Sequence, residues 1–461
     1  MSKIKKVLAL LLAMTMVMGM SMTTFAAGAT ATITVEGAAE DATLTYVQVI
    51  KPDQTTTTGW AFCSTAIAEA YMIAFEETDP QEVIKAMIKD PTGNTNAAAI
   101  GKALSNVAGI DGLTFATMAN PQTVSSAGVY AIRATEEGYT YNNMAAYVGF
   151  GVVDGSYPAL LDATLTAKKS PIEVVKDHND PDDVVAIGAE ITYTVEAYVP
   201  YINPNDTDKS FFIYDRLTGA TYDLDNAKIM LGTTQLDKNM IVLDMDKQGF
   251  SIDLKDFIDD ANSYAGQKIT VTYNAKVTAV TADNKAEAGH EGGSEFGSDT
   301  TKIYTGQITL TKYNEDKSAK LAGAGFEVTK KDGATAALTF IKDQDGVYTY
   351  SPAGGQGTVT EVFTGANGTL VVKGLDVGEY HFKETTAPEG YSINEEIAKA
   401  TLTVTEKAID IVTAETELTD TKLSALPATG GIGTIIFTIG GCLVMLISAV
   451  LFFAIRRKSV K

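Results

Sequence analysis

Three charged residues in the C-terminal part of the chain lie in phase with apolar residues on predicted strands. They are Lys312, Glu384 and Asp420. Their apolar neighbours at alternate positions are Ile308, Leu310, Tyr380, Phe382 and Leu418. Because alternate residues of a strand point to one face, we expect all three side chains to be buried. Burial favours a neutral, nucleophilic lysine amine, and it favours a carboxylic acid that can share its proton.

A second set of polar residues shows a similar pattern in the middle of the chain. Lys176 and Asp215 each follow apolar residues at alternate positions, and Asp299 is in phase with an apolar residue of its own strand. Asn274 comes directly after Tyr273, so its side chain is predicted to face away from the apolar side of that strand. Lys176 and Asp215 are therefore predicted to point into a second core.

Both sets lie in stretches that are typical of β-sandwich domains. The predicted domains are residues 168–305 and 306–422, in which short alternating segments are separated by turn residues. The strand candidates are residues 190–195, 211–214, 268–277, 371–373, 380–384 and 401–404. Residues 283–298, rich in glycine, serine and acids, are predicted to form a loop.

The region before them, residues 28–167, is predicted to be a mixed α+β domain. Residues 64–89 carry apolar side chains at helical spacing, and Pro80 is a typical first residue of a second helix. Residues 44–50 and 128–132 are strand candidates. The fold class is therefore mainly β, with two tandem sandwich domains after a mixed N-terminal domain.

Both ends of the chain indicate export. Residues 1–27 combine three lysines, an apolar run and a small-residue site, which is the pattern of a cleaved signal peptide. Residues 432–455 contain no charged side chain and are long enough to span a bilayer. The basic residues after them predict that this end stays in the cytoplasm.

Composition narrows the function further. The formal charge is −21, and without the basic signal and tail it is about −28, which disfavours nucleic acid as a partner. Cys442 lies in the apolar run, so Cys63 has no internal disulfide partner. No catalytic set, cofactor loop or metal-ligand spacing is found, so we predict a protein that is not an enzyme and has no cofactor or bound metal.

Several motifs resemble those of backbone pilins, the major subunits of Gram-positive pili that sortases assemble. Residues 382–391 read FKETTAPEGY, which resembles the E-box of these proteins, and LAGAGF at 321–326 resembles an early strand of a collagen-adhesin B-type domain. FFIYDRL at 211–217 resembles the isopeptide-forming middle domain, of collagen-adhesin A type. LPATG, with the apolar run and basic tail after it, resembles a cell-wall sorting signal. Its residues are Leu426, Pro427, Ala428, Thr429 and Gly430.

The resemblance implies roles for the predicted core residues. In this family, a lysine forms an isopeptide bond with an asparagine or aspartate, promoted by an acid. The implied third-domain set is Lys312 as nucleophile, Asp420 as partner and Glu384 as acid. The implied middle-domain set is Lys176 with Asp215 as acid and Asp299 as partner, while Asn274 is the alternative partner and an uncross-linked sandwich remains open.

The same resemblance implies that a sortase cuts after Thr429 and joins it to a lysine of the next subunit. The family's Tyr-Pro-Lys motif corresponds here to residues 166–168, which read Thr-Ala-Lys. The predicted acceptor is Lys168, which strand alternation points to solvent if Leu165 points inward. Lys169 is the alternative.

The predicted function is therefore a structural subunit of a cell-wall-anchored pilus. The predicted partners are a sortase, identical subunits joined covalently, peptidoglycan and ancillary pilins. The alternative is a monomeric wall-anchored adhesin or ancillary pilin that binds a host or matrix ligand.

Overall fold

The structure is a computed structural model of the chain. It describes residues 29–90, 95–153, 156–204, 206–244, 249–331, 336–352, 354–424 and 432–458. The predicted signal peptide and the Leu-Pro-Ala-Thr-Gly motif lie outside these residues. The chain forms two compact units. The first runs to Gln307 and includes Lys373–Val377 and Leu402–Val412; the second contains Ile308–Val372, Gly378–Thr401 and the residues from Thr413 on.

The first part of the first unit mixes helices with small sheets. Its helices are α1 (Thr65–Phe75), α2 (Pro80–Lys89) and α3 (Ala97–Ala108). Its strands are β1 (Ala31–Glu36), β2 (Thr43–Pro52), β3 (Trp60–Phe62), β4 (Ala116–Thr117), β5 (Gln122–Val124), β6 (Gly128–Thr135), β7 (Tyr139–Tyr141), β8 (Met144–Val148), β9 (Phe150–Val153), β10 (Ser156–Leu160), β11 (Ala163–Thr166) and β12 (Lys169–Pro171). The main sheet has the order β3-β2-β6-β8, and β4 also pairs with β2.

The helix boundaries follow from capping residues. The Ser64 side chain accepts a hydrogen bond from the Ile67 N–H at the start of α1. Asp79 caps α2 in the same way, and Pro80 is its first residue, as predicted. The sequence analysis did not predict α3, although its run of alanines has a high helix propensity.

The second part of the first unit, called here the middle sandwich, consists of two five-stranded sheets. Their orders are β13-β14-β20-β16-β17 and β18-β19-β15-β21-β22. The strands are β13 (Val174–His178), β14 (Glu190–Tyr198), β15 (Phe212–Thr218), β16 (Ala220–Leu231), β17 (Thr234–Leu236), β18 (Ile241–Asp244), β19 (Gly249–Asp253), β20 (Lys268–Val277), β21 (Thr281–Gly289) and β22 (Ser298–Tyr304). Along β20, alternate residues from Ile269 to Val277 are buried in the core, which is the predicted pattern.

One prediction for the middle sandwich was wrong in its first half, whereas residues 290–297 do lie between strands. Residues 283–298 were expected to form a loop, but β21 occupies Thr281–Gly289 and pairs with both β15 and β22. The inward positions of this strand hold Ala282, Ala286 and Ala288, all fully buried. Small residues fit there because tyrosine rings fill the facing core. The strand therefore lacks the large β-branched residues by which a strand is usually predicted from sequence.

The remaining strands, β23–β32, form a second sandwich, called here the third sandwich after its order in the chain. Its sheets have the orders β27-β25-β26-β29-β23-β32 and β28-β24-β30-β31. The strands are β23 (Gly306–Asn314), β24 (Gly325–Lys330), β25 (Phe340–Gln344), β26 (Val347–Tyr350), β27 (Thr358–Val359), β28 (Glu361–Phe363), β29 (Thr369–Leu375), β30 (Gly378–Thr386), β31 (Ile397–Leu402) and β32 (Val412–Asp420). The prediction of a mainly β chain with sandwich domains is confirmed.

The last helix, α4 (Ile432–Lys458), follows the sorting motif. Within it, Ile435–Arg456 has a mean hydropathy of 2.6 and is long and apolar enough to cross a membrane. This agrees with the span predicted from the uncharged run.

Candidate cross-linking sites and acceptor lysine

Lys312, Glu384 and Asp420 meet in the core of the third sandwich. Lys312 lies on β23 and Asp420 on the neighbouring strand β32, whereas Glu384 lies on β30 of the other sheet. The three side chains are all 0% exposed. Lys312 Nζ is 3.1 Å from Glu384 Oε1 and forms an ion pair with Asp420 Oδ1. The strand alternation therefore located three residues that do lie together, out of contact with solvent.

The surroundings of this cluster shift the pKa of Glu384 upward. Burial raises the pKa of Glu384, while the Asn394 N–H and the Lys312 ammonium oppose the shift. Asp420 Oδ2 is buried and accepts no hydrogen bond from the described residues. A protonated Glu384 could donate to a carboxyl oxygen of Asp420 while the lysine amine attacks its carbon.

Lys176 and Asp215 form a second buried pair, in the middle sandwich. Lys176 Nζ is 2.5 Å from Asp215 Oδ2 and 2.6 Å from the Tyr273 hydroxyl. Both charged side chains are 0% exposed. Burial lowers the pKa of Lys176, and the Asp215 carboxylate opposes that shift. The Tyr273 and Tyr222 hydroxyls both donate to Asp215 Oδ1, which leaves Oδ2 facing the lysine.

The two predicted partners of Lys176 form hydrogen bonds with other groups. Asp299 Oδ2 accepts a hydrogen bond from the main-chain N–H of Lys176 at 2.8 Å, so this carboxylate holds strand β13 in place. Asn274 is bonded to Thr192 and Glu190, with its carbonyl 2.9 Å from the threonine hydroxyl. It therefore lies on the face of β20 opposite Tyr273, as its position in the strand predicts.

Asn284, which the sequence analysis did not single out, is a buried polar residue close to the Lys176–Asp215 pair. It lies on β21 with 0% exposure, and its Nδ2 donates to the Tyr273 hydroxyl at 2.7 Å. Its Oδ1 is buried without a hydrogen-bond partner among the described residues, which is costly for a carbonyl oxygen. Lys176 Nζ and the Asn284 carboxamide thus contact the same hydroxyl. Its phase with Ala286 and Ala288 was the available signal, and the wrong loop prediction hid it.

The two candidate acceptor lysines have different surroundings. Lys169 Nζ is 2.9 Å from Glu136 Oε2 and 3.9 Å from the centre of the Tyr139 ring, so it is held in place. Lys168 lines a cavity of about 840 Å³, and partial burial lowers its pKa. It lies between β11 and β12, where simple alternation does not apply. Lys168 is therefore half-buried in a cavity wall, where the sequence analysis expected a solvent-facing residue.

An acidic turn in the middle sandwich carries a further perturbed group. Asp180 Oδ1 accepts hydrogen bonds from the main-chain N–H groups of Asp182 and Val184, at 3.3 and 3.1 Å. Burial, together with a proton shared with Asp182, raises the pKa of Asp180 to about 6. The Asp180 carboxyl group thus closes the turn by accepting hydrogen bonds from the turn's own main-chain N–H groups.

Comparisons with known proteins match two parts of the chain to families. Residues 306–417 match the prealbumin-like fold domain, and residues 419–460 match the LPXTG cell wall anchor motif. The second match contains the five residues Leu426–Gly430, whose structure lies outside the described ranges.

Two curated relatives and one solved structure extend the comparison. The chain is 32% identical over 177 residues to a fimbrial subunit type 1 of Actinomyces viscosus, covering 34% of this chain and 33% of that protein. It is 27% identical over 143 residues to a collagen adhesin of Staphylococcus aureus, covering 31% of this chain and 10% of that protein. The chain thus spans a third or less of either relative.

The fold is similar to that of the T6 backbone pilin of Streptococcus pyogenes serotype M6, which has three domains. The TM-score is 0.55 at 14% identity, covering 87% of this chain and 100% of that one. The chain is therefore a cell-surface, wall-anchored protein, with a third sandwich of the prealbumin-like family and a fold similar to a backbone pilin.

Proposed function

We propose that the chain is the structural subunit of a pilus, in which a sortase joins Thr429 of one subunit to Lys168 of the next. The observation that carries this proposal is the match of residues 419–460 to the LPXTG cell wall anchor motif, at the end of a chain with a pilin-like fold. The position of Lys168 in a cavity wall, with a lowered pKa, supports this lysine as the acceptor. Only a neutral amine can attack an acyl intermediate, and a lowered pKa increases the neutral fraction near pH 7. Lys169 is engaged with Glu136 and is the weaker candidate. The fimbrial relative and the pilin-like fold support this function.

In the third sandwich, we propose that Lys312 and Asp420 form an isopeptide bond with Glu384 as the acid. The Lys312 ammonium first gives up a proton within the buried cluster, and its neutral Nζ attacks Asp420 Cγ. A carboxyl oxygen of Asp420 leaves as water with protons supplied through Glu384, and a neutral amide remains. The contacts of Lys312 with both carboxyl groups support this assignment.

In the middle sandwich, we propose that Lys176 bonds to Asn284 with Asp215 as the acid. Asp215 takes a proton from the lysine, the amine attacks Asn284 Cγ, and ammonia leaves with the returned proton. The buried carboxamide, with its unpartnered oxygen, supports Asn284 over Asp299, which binds the lysine main chain. Reaction with Asp299 would release water, so the two partners are distinguishable by mass.

The test of the pilus function is a blot of cell-wall extracts from the native host. A ladder of high-mass species is expected for the wild-type chain, and it should be lost when Leu426 and Pro427 are both changed to Ala. A single wall-bound band for the wild type would instead favour a monomeric adhesin, for which the similarity to the collagen adhesin is the supporting observation.

A further inference from the structure

The loop after the E-box pairs with the end of strand β32 on either side of Asp420. The Ser392 N–H donates to the Thr421 carbonyl at 3.0 Å, and Asn394 Nδ2 donates to the Thr419 carbonyl at 2.7 Å. The accepting carbonyl of Thr419 belongs to the peptide group that leads directly into Asp420. The position of the Asp420 backbone is therefore fixed from this loop as well as from strand β23.

Asn394 also contacts the acid of the same cluster. Its main-chain N–H donates to Glu384 Oε2 at 2.8 Å. Its Oδ1 accepts the Glu396 N–H at 2.9 Å, which closes a turn and holds the side chain in one orientation. One half-buried residue thus contacts the glutamate through its backbone and the aspartate strand through its amide group.

We propose that Asn394 is a positioning residue for the third-sandwich cross-link, aligning the Glu384 carboxyl group and the Asp420 backbone with the Lys312 amine. With Oε2 held by the Asn394 N–H, the other oxygen of Glu384 faces Lys312, as its distance of 3.1 Å indicates. This inference rests on the cross-link proposed above. It adds that the bond forms only after the loop and strand β32 have docked.

The variants separate this alignment from ordinary stabilisation of the turn. Asn394→Asp keeps the oxygen that accepts from Glu396 but loses the amide donor to Thr419. Asn394→Ala loses both. The matched control is Asn367→Ala, because Asn367 Oδ1 closes a comparable turn with the Thr369 N–H at 3.0 Å on the surface of the same sandwich.

The experiment follows bond formation in the full chain made by cell-free synthesis. Samples are quenched over time, and the cross-linked tryptic peptide that joins Lys312 to Asp420 is quantified by mass spectrometry. Only protease-resistant molecules are counted, so the rate refers to chains that have folded. We expect Asn394→Asp to slow formation about tenfold, the effect of losing one well-placed hydrogen bond, and Asn367→Ala to leave it unchanged.

The pH dependence of that rate gives a second readout that loss of stability alone would not change. The main-chain N–H of residue 394 opposes the rise in the pKa of Glu384. Asn394→Ala keeps this N–H but removes the two side-chain bonds that fix its position, so we expect a weaker bond to Oε2 and a further rise in that pKa. The rate depends on protonated Glu384, and its fall with rising pH should therefore shift to higher pH.

The possible outcomes distinguish the two proposals. If the wild-type chain contains no cross-linked peptide, both the cross-link and the role of Asn394 are wrong. If the wild type reacts and Asn394→Asp reacts equally fast, the cross-link stands and the positioning role is refuted. Failure of Asn394→Asp to become protease-resistant would also refute it, because the residue would then be needed for folding itself.

Discussion

Replacement of Glu384 by Gln should prevent the third-sandwich cross-link with little change in shape. Glutamine is isosteric but cannot supply a proton, so Lys312 and Asp420 should remain an ion pair. The two residues are 108 positions apart in the chain, and closing a loop of that length stabilises a fold by about 5 kcal/mol in the chain-entropy estimate used for disulfides. For a domain of this size, that corresponds to a fall in Tm of about 20 °C.

The assay is thermal proteolysis of the full chain, extracted in detergent from a host that lacks sortase. Peptides from residues 306–420 report the unfolding of the third sandwich separately from the rest of the chain. Glu361→Gln is the matched control, because Glu361 lies beside the E-box and accepts hydrogen bonds from Thr385 and Thr386, which glutamine can also accept. Persistence of the cross-linked peptide in Glu384→Gln would refute the role of the acid. Loss of the peptide without more destabilisation than the control would refute the estimate of its stabilising effect.

Three further predictions follow from the other sites. Peptide mass spectrometry should find a Lys176 cross-link short by one ammonia, which Asn284→Ala abolishes and Asp299→Ala does not; a peptide short by one water would identify Asp299 as the partner. In the native host, Lys168→Ala should remove the ladder of high-mass species and Lys169→Ala should leave it unchanged. The reverse result would identify Lys169 as the acceptor. Asp180→Asn should stabilise the chain by about 1 kcal/mol at pH 7, after allowance for solvent screening. The pKa of Asp180 is raised from 3.8 to about 6, so the protonated carboxyl group contributes to folding stability below pH 4, and this contribution is lost as pH rises through 6. Urea unfolding of wild type and variant should show this gain disappear at pH 4, and an equal gain at both pH values would contradict it.

Strand alternation predicted the third-sandwich cluster because its three residues lie on regular strands with large apolar neighbours. The same method failed at Asn284, because alanine neighbours and a glycine-rich flank resemble a loop. Lys168 shows a different limit. It lies between two short strands, where the direction of a side chain depends on tertiary packing and local periodicity gives no information.

The candidate partners of Lys176 show what phase within a strand leaves undecided. Asp299 is in the predicted register, and its strand does lie beside the lysine strand. Its carboxylate is nevertheless held by a main-chain N–H, and such competition between backbone and side-chain donors depends on distances that a sequence does not contain. The burial of Asp215 was easier to predict, because its side chain points into the core of its own sheet, where it pairs with Lys176.

The burial of Lys312, Glu384 and Asp420 has a consequence for the energetics before and after reaction. Until the bond forms, the folded third sandwich must hold ionisable groups in a medium that solvates charge poorly. Amide formation replaces the ammonium and one carboxylate by a single neutral dipole. The proposed reaction would thus remove the desolvation cost of its own unreacted groups, and this cost would favour formation of the cross-link.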